Sequence, residues 1–326
     1  MGFPIKSDSS PQSLPFTRRN SMSIFTPELE RHLTFSVQTA LRFGGGILAS
    51  ESAKLPAGGT ELTGLRDYST GDNPQRIDWG ICARHDELWV RVYEGTAQRR
   101  AYLLLDTSYG MCFQPEKLMA AKRAAAVLAT GILTAGALLE FGTFMPNFNL
   151  FPVLAHKQKC GNFLRFLEKM EISTEPNLVN FEYAVHAFLA RKRQPGELYV
   201  LSDCFGESDS FRKDFETGFR RLQRAGFSCR LIHLINPDDR AENFVGDVDI
   251  FDQARNYQQS ITLTERDLAA YQRLYDAYLE SVQEFCRKET IPYARISTDS
   301  PLSTLCLTAL GMPADTAKSN PWAEFI

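Results

Sequence analysis

Two aspartates in this chain fall where a parallel sheet would put them to chemical use. "AYLLLD" closes on Asp106 and "ELYVLSD" closes on Asp203, each an apolar run ending in a carboxylate. Ser108 follows the first and Ser202 precedes the second. A sheet that aligned these strands would gather carboxylates and hydroxyls at its carboxyl edge, where open α/β folds keep their ligands. Such donors suit a hard cation such as Mg²⁺, which takes oxygen ligands and retains water. The same aspartates equally suit a plainer task, accepting the free N–H groups of the helices that follow. Residue types alone leave both readings open.

Catalytic alternatives find less support. The chain has no G-x-S-x-G elbow, no Walker loop and no H-E-x-x-H. A phosphatase of the Asp-x-Asp kind would need a second aspartate where Ser108 stands. Cys112 and Cys204 fall near the same edge, but a thiol nucleophile needs a neighbouring base. None of His32, His85, His156, His186 or His233 is evidently placed to serve, and His233, inside "SCRLIHLI", reads as a core histidine. "GGGILA" matches a dinucleotide fingerprint only formally, because it follows a helix rather than a strand. No catalytic residue is assigned, and an enzyme with an unrecognised nucleophile is the remote alternative.

The elements that must position these residues follow from pattern. Thr26-Pro27-Glu28 starts a helix that runs to Phe43. From Gly59 to Arg99 the text is turn-rich and β-like, with "ELWVRVYE" alternating in strand fashion and Asn73-Pro74 opening a short helical turn. Beyond Arg100, apolar strands alternate with helices: a helix over Glu116–Leu139, short strands in "FGTFMPNF" and "LFPVL", helices over Gly161–Met170, Asn180–Arg193, Phe211–Ala225 and Glu265–Lys288, and strands in "SCRLIHLI" and "PYARIS". Strands without alternation, interleaved with helices, imply an α/β, doubly wound, mostly parallel sheet covered on both faces. The acidic, turn-rich stretch near 236–262 reads as an inserted loop with a hairpin.

The 326 residues are 44% hydrophobic and 23% charged, with a net charge of −3, so no basic field points to nucleic acid. Seven scattered cysteines without a C-x-x-C pair argue against a zinc ribbon and for a reducing compartment, hence the cytoplasm. The Ser- and Pro-rich opening lacks an apolar core and reads as a disordered tail, 1–25, rather than a secretory signal. "AAAVLATGILTAGALL" (Ala124–Leu139) is short for a membrane span and reads as a buried helix, so no membrane insertion is expected.

"GLRDYSTGDNPQRIDWGICARHDELWVRVYE", followed by "LLLDTSYGM", resembles the domain-of-unknown-function 58 family, whose core is a von Willebrand factor A-like domain. The family motif falls on Arg66, Tyr68, Gly71, Asp72, Arg76, Ile77, Asp78, Trp79, Ala83 and Arg84, with Asp67 in place of its glutamate. The alternating charges suit an internal ion-pair network with Trp79 as packing anchor, or a partner surface. The resemblance implies a small β-rich subdomain with the first helix over 26–99, then a von Willebrand A-like domain over 100–326. It also implies a metal site drawn from Asp106, Ser108 and Asp203 but degenerate, since Gly110 and Val179 fall where a serine and a threonine belong. Weak Mg²⁺ binding at most is then expected, and no other cofactor. The function implied is a non-catalytic protein-binding adaptor working with a MoxR-type AAA+ ATPase. The rival is a Mg²⁺-dependent protein-binding module with an intact though atypical site.

Overall fold

The computed structural model describes residues 5–6, 26–42, 58–69, 77–85, 87–94, 99–144, 148–155, 160–170, 181–205, 209–241, 245–252 and 257–312. They fall into two compact units, one within Met1–Ala49 and Arg100–Ile326, the other within Ser50–Arg99.

In the larger unit, β4 (Arg100–Asp106), β5 (Leu138–Phe144), β6 (Asn149–Leu150), β7 (Glu197–Ser202), β8 (Ser228–Ile235) and β11 (Tyr293–Ser297) form one sheet in the order β11-β8-β7-β4-β5-β6. Every pairing is parallel except that of β6 with β5. The central strands are apolar without alternation because both faces are covered. Leu103, Leu105, Tyr199 and Leu201 face a core shared with α1 (Pro27–Arg42), α4 (Pro115–Thr134), α5 (Cys160–Lys169) and α9 (Leu302–Ala309). Tyr102, Leu104, Leu198 and Val200 face a second core, built with Phe181, Val185 and Phe188 of α6 (Phe181–Ala190), Phe215 and Phe219 of α7 (Asp209–Arg224), and Val282 and Phe285 of α8 (Glu265–Lys288). Burying one such side chain is worth about 1.5–3 kcal/mol, so these two layers dominate the stability of the unit. This is the doubly wound, mostly parallel arrangement expected from the sequence. The run of small apolar residues from Ala124 belongs to α4, which is buried almost all round, and no described helix is long and apolar enough to cross a membrane.

Several boundaries differ from the sequence reading. Helix α1 packs in the larger unit through Leu29, Leu33, Val37 and Ala40, so it does not group with the β-rich subdomain. Its start is as expected, with Thr26 Oγ1 accepting the Leu29 N–H at 3.2 Å. Helix α4 stops at Thr134 rather than Leu139, because Gly136 turns the chain at φ +78° and Leu138 already enters β5. "LFPVL" supplies only the end of β6 and an isolated bridge between Leu154 and Leu139. Gly196 precedes β7 where its backbone meets β4, and a Cβ there would lie 2.4 Å from the Arg100 carbonyl oxygen.

The insertion forms a hairpin of β9 (Gly246–Asp252) and β10 (Tyr257–Leu263), with β1 (Ile5–Lys6) added antiparallel to β9. Ile5 and Lys6 therefore form a strand within the segment read as a disordered tail; 1–4 and 7–25 lie outside the described residues. The smaller unit holds the antiparallel pair β2 (Gly58–Asp67) and β3 (Trp89–Glu94) and the short helix α2 (Trp79–His85).

Candidate functional site

Because β4, β7 and β8 are parallel neighbours, the chain leaves all three at the same edge. At the end of β4, Asp106 is fully buried; its Oδ1 accepts the Ser108 N–H at 2.8 Å and its Oδ2 accepts the Ser202 hydroxyl at 2.5 Å. Ser202 Oγ in turn accepts the Cys204 N–H at 2.9 Å. Just past β7, Asp203 Oδ1 accepts the Phe205 N–H at 3.2 Å. Both aspartates thus bind the backbone two residues on, closing tight turns rather than capping the following helices.

The other oxygen of Asp203 meets a group that sequence reasoning missed. Lys117, the third residue of α4 and only 2% exposed, brings Nζ within 3.0 Å of Asp203 Oδ2 and 3.0 Å of Asp239 Oδ2. Its third side faces the Phe205 ring, 5.3 Å from the centroid. Two carboxylates and an aromatic face therefore answer the three N–H donors of the ammonium. Asp239 lies in the 3₁₀ turn Pro237–Arg240 after β8, and Gln114 ties it to the start of α4. The Gln114 amide donates to Asp239 Oδ1 at 2.9 Å and accepts from Asn236 Nδ2 at 3.0 Å. A cation in the first turn of a helix opposes the helix dipole, so the two carboxylates offset both that and the loss of water. Burial acts to lower the Lys117 pKa, but the charges of Asp203 and Asp239 outweigh it and hold the ammonium above its ordinary range.

The histidine and the thiols at the edge are poorly suited to nucleophilic or base chemistry. His233 is fully buried, and burial lowers its pKa to about 3. Its Nε2 lies 3.0 Å from the Asp203 carbonyl oxygen, which can only accept, so Nε2 carries the proton and Nδ1 accepts the Tyr293 hydroxyl at 2.8 Å. This is the satisfied core histidine read from its strand. Burial first, then the charges of Asp106 and Asp203, push the Cys112 thiol up to about 12, and Cys204 moves in the same direction. Asp106 is raised to about 7, by burial first and the Asp203 charge second, against the hydrogen bonds it accepts.

Of the expected ligands, Asp106, Ser108 and Asp203 do meet at this edge. The Ser108 hydroxyl is buried beside the Asp106 carboxylate and interacts with it. Gly110, in the short helix α3 (Tyr109–Phe113), lies next to Asp203: a Cβ there would sit 3.7 Å from Asp203 Oδ2. Val179 lies outside the described residues. Among the described residues, no group of three or more His, Cys, Asp or Glu side chains is placed to hold a metal together. A divalent ion bound on Asp203 would face the Lys117 ammonium. At about 5 Å and an effective dielectric near 20 that repulsion is on the order of 7 kcal/mol.

In the motif of the smaller unit, Gly71, Asp72 and Arg76 lie outside the described residues. Asp78 caps α2, its Oδ1 accepting the N–H groups of Gly80 at 3.1 Å and Ile81 at 3.2 Å. Arg84 donates to the Gly80 carbonyl at 3.0 Å, Arg66 to the carbonyl of Asp67 at 3.0 Å, and the Tyr68 N–H to Leu88 O at 2.8 Å. Trp79 is 65% exposed, so it does not act as the packing anchor expected of it.

A signal for Lys117 was present in the sequence. Lys117, Ala121, Ala124 and Leu128 fall on one stripe of α4, and a lysine on a stripe otherwise apolar has to find an internal partner.

The chain is similar to several known proteins. An uncharacterised protein of Mycobacterium tuberculosis is 22% identical over 275 residues, covering 82% of this chain and 83% of the relative. An aerotolerance-related membrane protein from Bacteroides fragilis, solved with multiple mutations to serines, overlays 67% of this chain and 99% of its own at 14% identity, with a TM-score of 0.42. A von Willebrand factor type A structure from Catenulispora acidiphila overlays 43% of this chain and 34% of its own at 16% identity, with a TM-score of 0.32. The family model described as "Protein of unknown function DUF58" matches residues 64–278, and the chain belongs to that family.

Proposed function

We propose that this protein is a non-catalytic, cytoplasmic protein-binding adaptor of the von Willebrand A-like type, working with a MoxR-type AAA+ ATPase and carrying a degenerate metal site. The observation that carries the reading is the state of the carboxyl edge. Asp203 is engaged by Lys117, Asp106 by Ser202, and His233 by Tyr293 and a backbone carbonyl, while the thiols are held protonated. An edge so occupied offers no activated nucleophile, and Asp106, though raised to about 7, is fully buried and already accepts two hydrogen bonds. A binding role is what remains, and the DUF58 family with its von Willebrand A-like fold supports a protein-interaction module in general. The ATPase partner rests on the family resemblance. The exposed Trp79 and the arginines beside it offer anchors of the type that dominate interfaces.

The test is co-purification of the tagged full chain with a MoxR-type AAA+ ATPase of the same organism, with and without ATP. A stoichiometric complex is expected; no complex under either condition overturns the partner assignment. One observation favours the rival, metal-dependent module: Asp106 and Ser108, two of the expected ligands, lie buried together at this edge. Calorimetric titration of the protein with Mg²⁺ separates the two, because micromolar binding that disappears in Asp106→Ala would establish the rival.

A further inference from the structure

We infer that Lys117 is itself the cation of this edge: its ammonium takes the position that a divalent ion would occupy between the loops following the parallel strands. The inference rests on the degenerate-site reading above and deepens it, because it says what replaced the ion. Two observations meet here. The ammonium lies 3.0 Å from a carboxylate oxygen of each of two loops, those after β7 and β8, so it joins them as a shared ion would. Gly110 leaves the flank of Asp203 without a hydroxyl, at a point where a Cβ would sit 3.7 Å from Asp203 Oδ2.

The chemistry of the substitution follows from the two kinds of cation. A hydrated divalent ion exchanges with solvent and keeps open coordination positions that an incoming carboxylate can fill. A tethered ammonium has three donors, no open coordination position and no free concentration on which its occupancy depends. Here the second carboxylate on the cation is Asp239, from the chain itself. A partner therefore cannot dock by offering an acidic side chain to an ion at this edge, and partner binding is insensitive to chelators.

The test uses the full chain with Mn²⁺ as probe, read by calorimetry and by thermal unfolding with and without the ion. The wild type should show no Mn²⁺-dependent change. Lys117→Met keeps the length of the side chain and removes its charge, and should gain Mn²⁺ affinity by at least about tenfold, with a melting temperature that rises with the ion. Adding Gly110→Ser to Lys117→Met should tighten binding further, since the new hydroxyl falls beside Asp203. Where Lys117→Met is unfolded without ion, Lys117→Met/Asp239→Asn removes one of the two uncompensated charges and is titrated in the same way. A folded variant that binds Mn²⁺ no better than the wild type overturns the inference, and so does failure of both variants to fold in millimolar Mn²⁺. Tight binding by the wild type, lost in Asp106→Ala, is a different failure: it removes the degenerate-site reading on which the inference stands.

Discussion

The carboxyl edge of the large sheet and the family motif of the smaller unit are both rich in charge, yet they use it in opposite ways. At the edge, Lys117 reaches Asp203 across 86 residues of sequence, Gln114 reaches Asp239 across 125, and Lys117, Asp203 and Asp239 are all buried. In the motif, Asp78 and Arg84 bind backbone within four residues, and Arg66, Arg84 and Trp79 are exposed. A charge removed from water has to be answered by another side chain, because its desolvation cost is otherwise unrecovered. An exposed charge can leave that to water and to the nearest carbonyl. The edge is therefore tightly constrained in composition by its own interior. The motif's exposed residues are spared that constraint.

The sharpest way to break this contrast is Lys117→Ala. It leaves Asp203 and Asp239 buried without their cation, and unfolding by urea should show a loss of about 3–5 kcal/mol. A loss below about 1 kcal/mol would mean that the edge is as tolerant as an exposed pair. Next comes the pH dependence set by Asp106. Its carboxyl is held at about 7 in the folded protein, above the value of 3.8 expected without the fold. The folded state then holds the proton more firmly than the unfolded one. Its contribution to stability is complete below about pH 4 and is lost as pH rises through about 7. Asp106→Asn should flatten unfolding free energy against pH over that window, and an unchanged slope would assign it elsewhere.

Effects in the smaller unit should be weaker. Asp78→Ala removes the cap of α2 and should cost about 1 kcal/mol, read as earlier melting of that unit alone. Trp79→Ala should change stability by no more than about 0.5 kcal/mol, as expected for an exposed side chain. The same variant should weaken capture of the ATPase partner by about tenfold or more if the motif is the docking surface. A large stability loss from Trp79→Ala together with unchanged capture would reverse the contrast drawn here.

Much of the scaffold could be read from local pattern. Helix α8 was expected at Glu265–Lys288 and lies there, helped by a capping box in which Thr264 and Asp267 answer each other's backbone N–H. The runs ending in Asp106 and Asp203 read as buried parallel strands for a local reason, since a strand covered on both faces has no polar face to alternate with. Boundaries failed where a turn intervened within an apolar run, as Gly136 does between α4 and β5. Trp79 was misplaced because an aromatic residue beside a turn has the same composition whether it is packed or presented.

The sequence by itself determined the alternation of strands and helices, hence the doubly wound sheet, and hence the meeting of Asp106 and Asp203 at one edge. All of these follow from hydrophobic period and from the rule that parallel strands share a carboxyl end. What only the tertiary structure decided is the sign of the charge placed among those carboxylates. A lysine near a helix start usually belongs to a solvated face, and nothing local to α4 says otherwise except its place on the apolar stripe. Packing α4 against the sheet buried Lys117, and the return of the chain after β8 brought Asp239 to its other side. An ion pair between groups so far apart in sequence exists only once the chain has folded, because only folding brings them within reach and removes the water that would otherwise satisfy each alone.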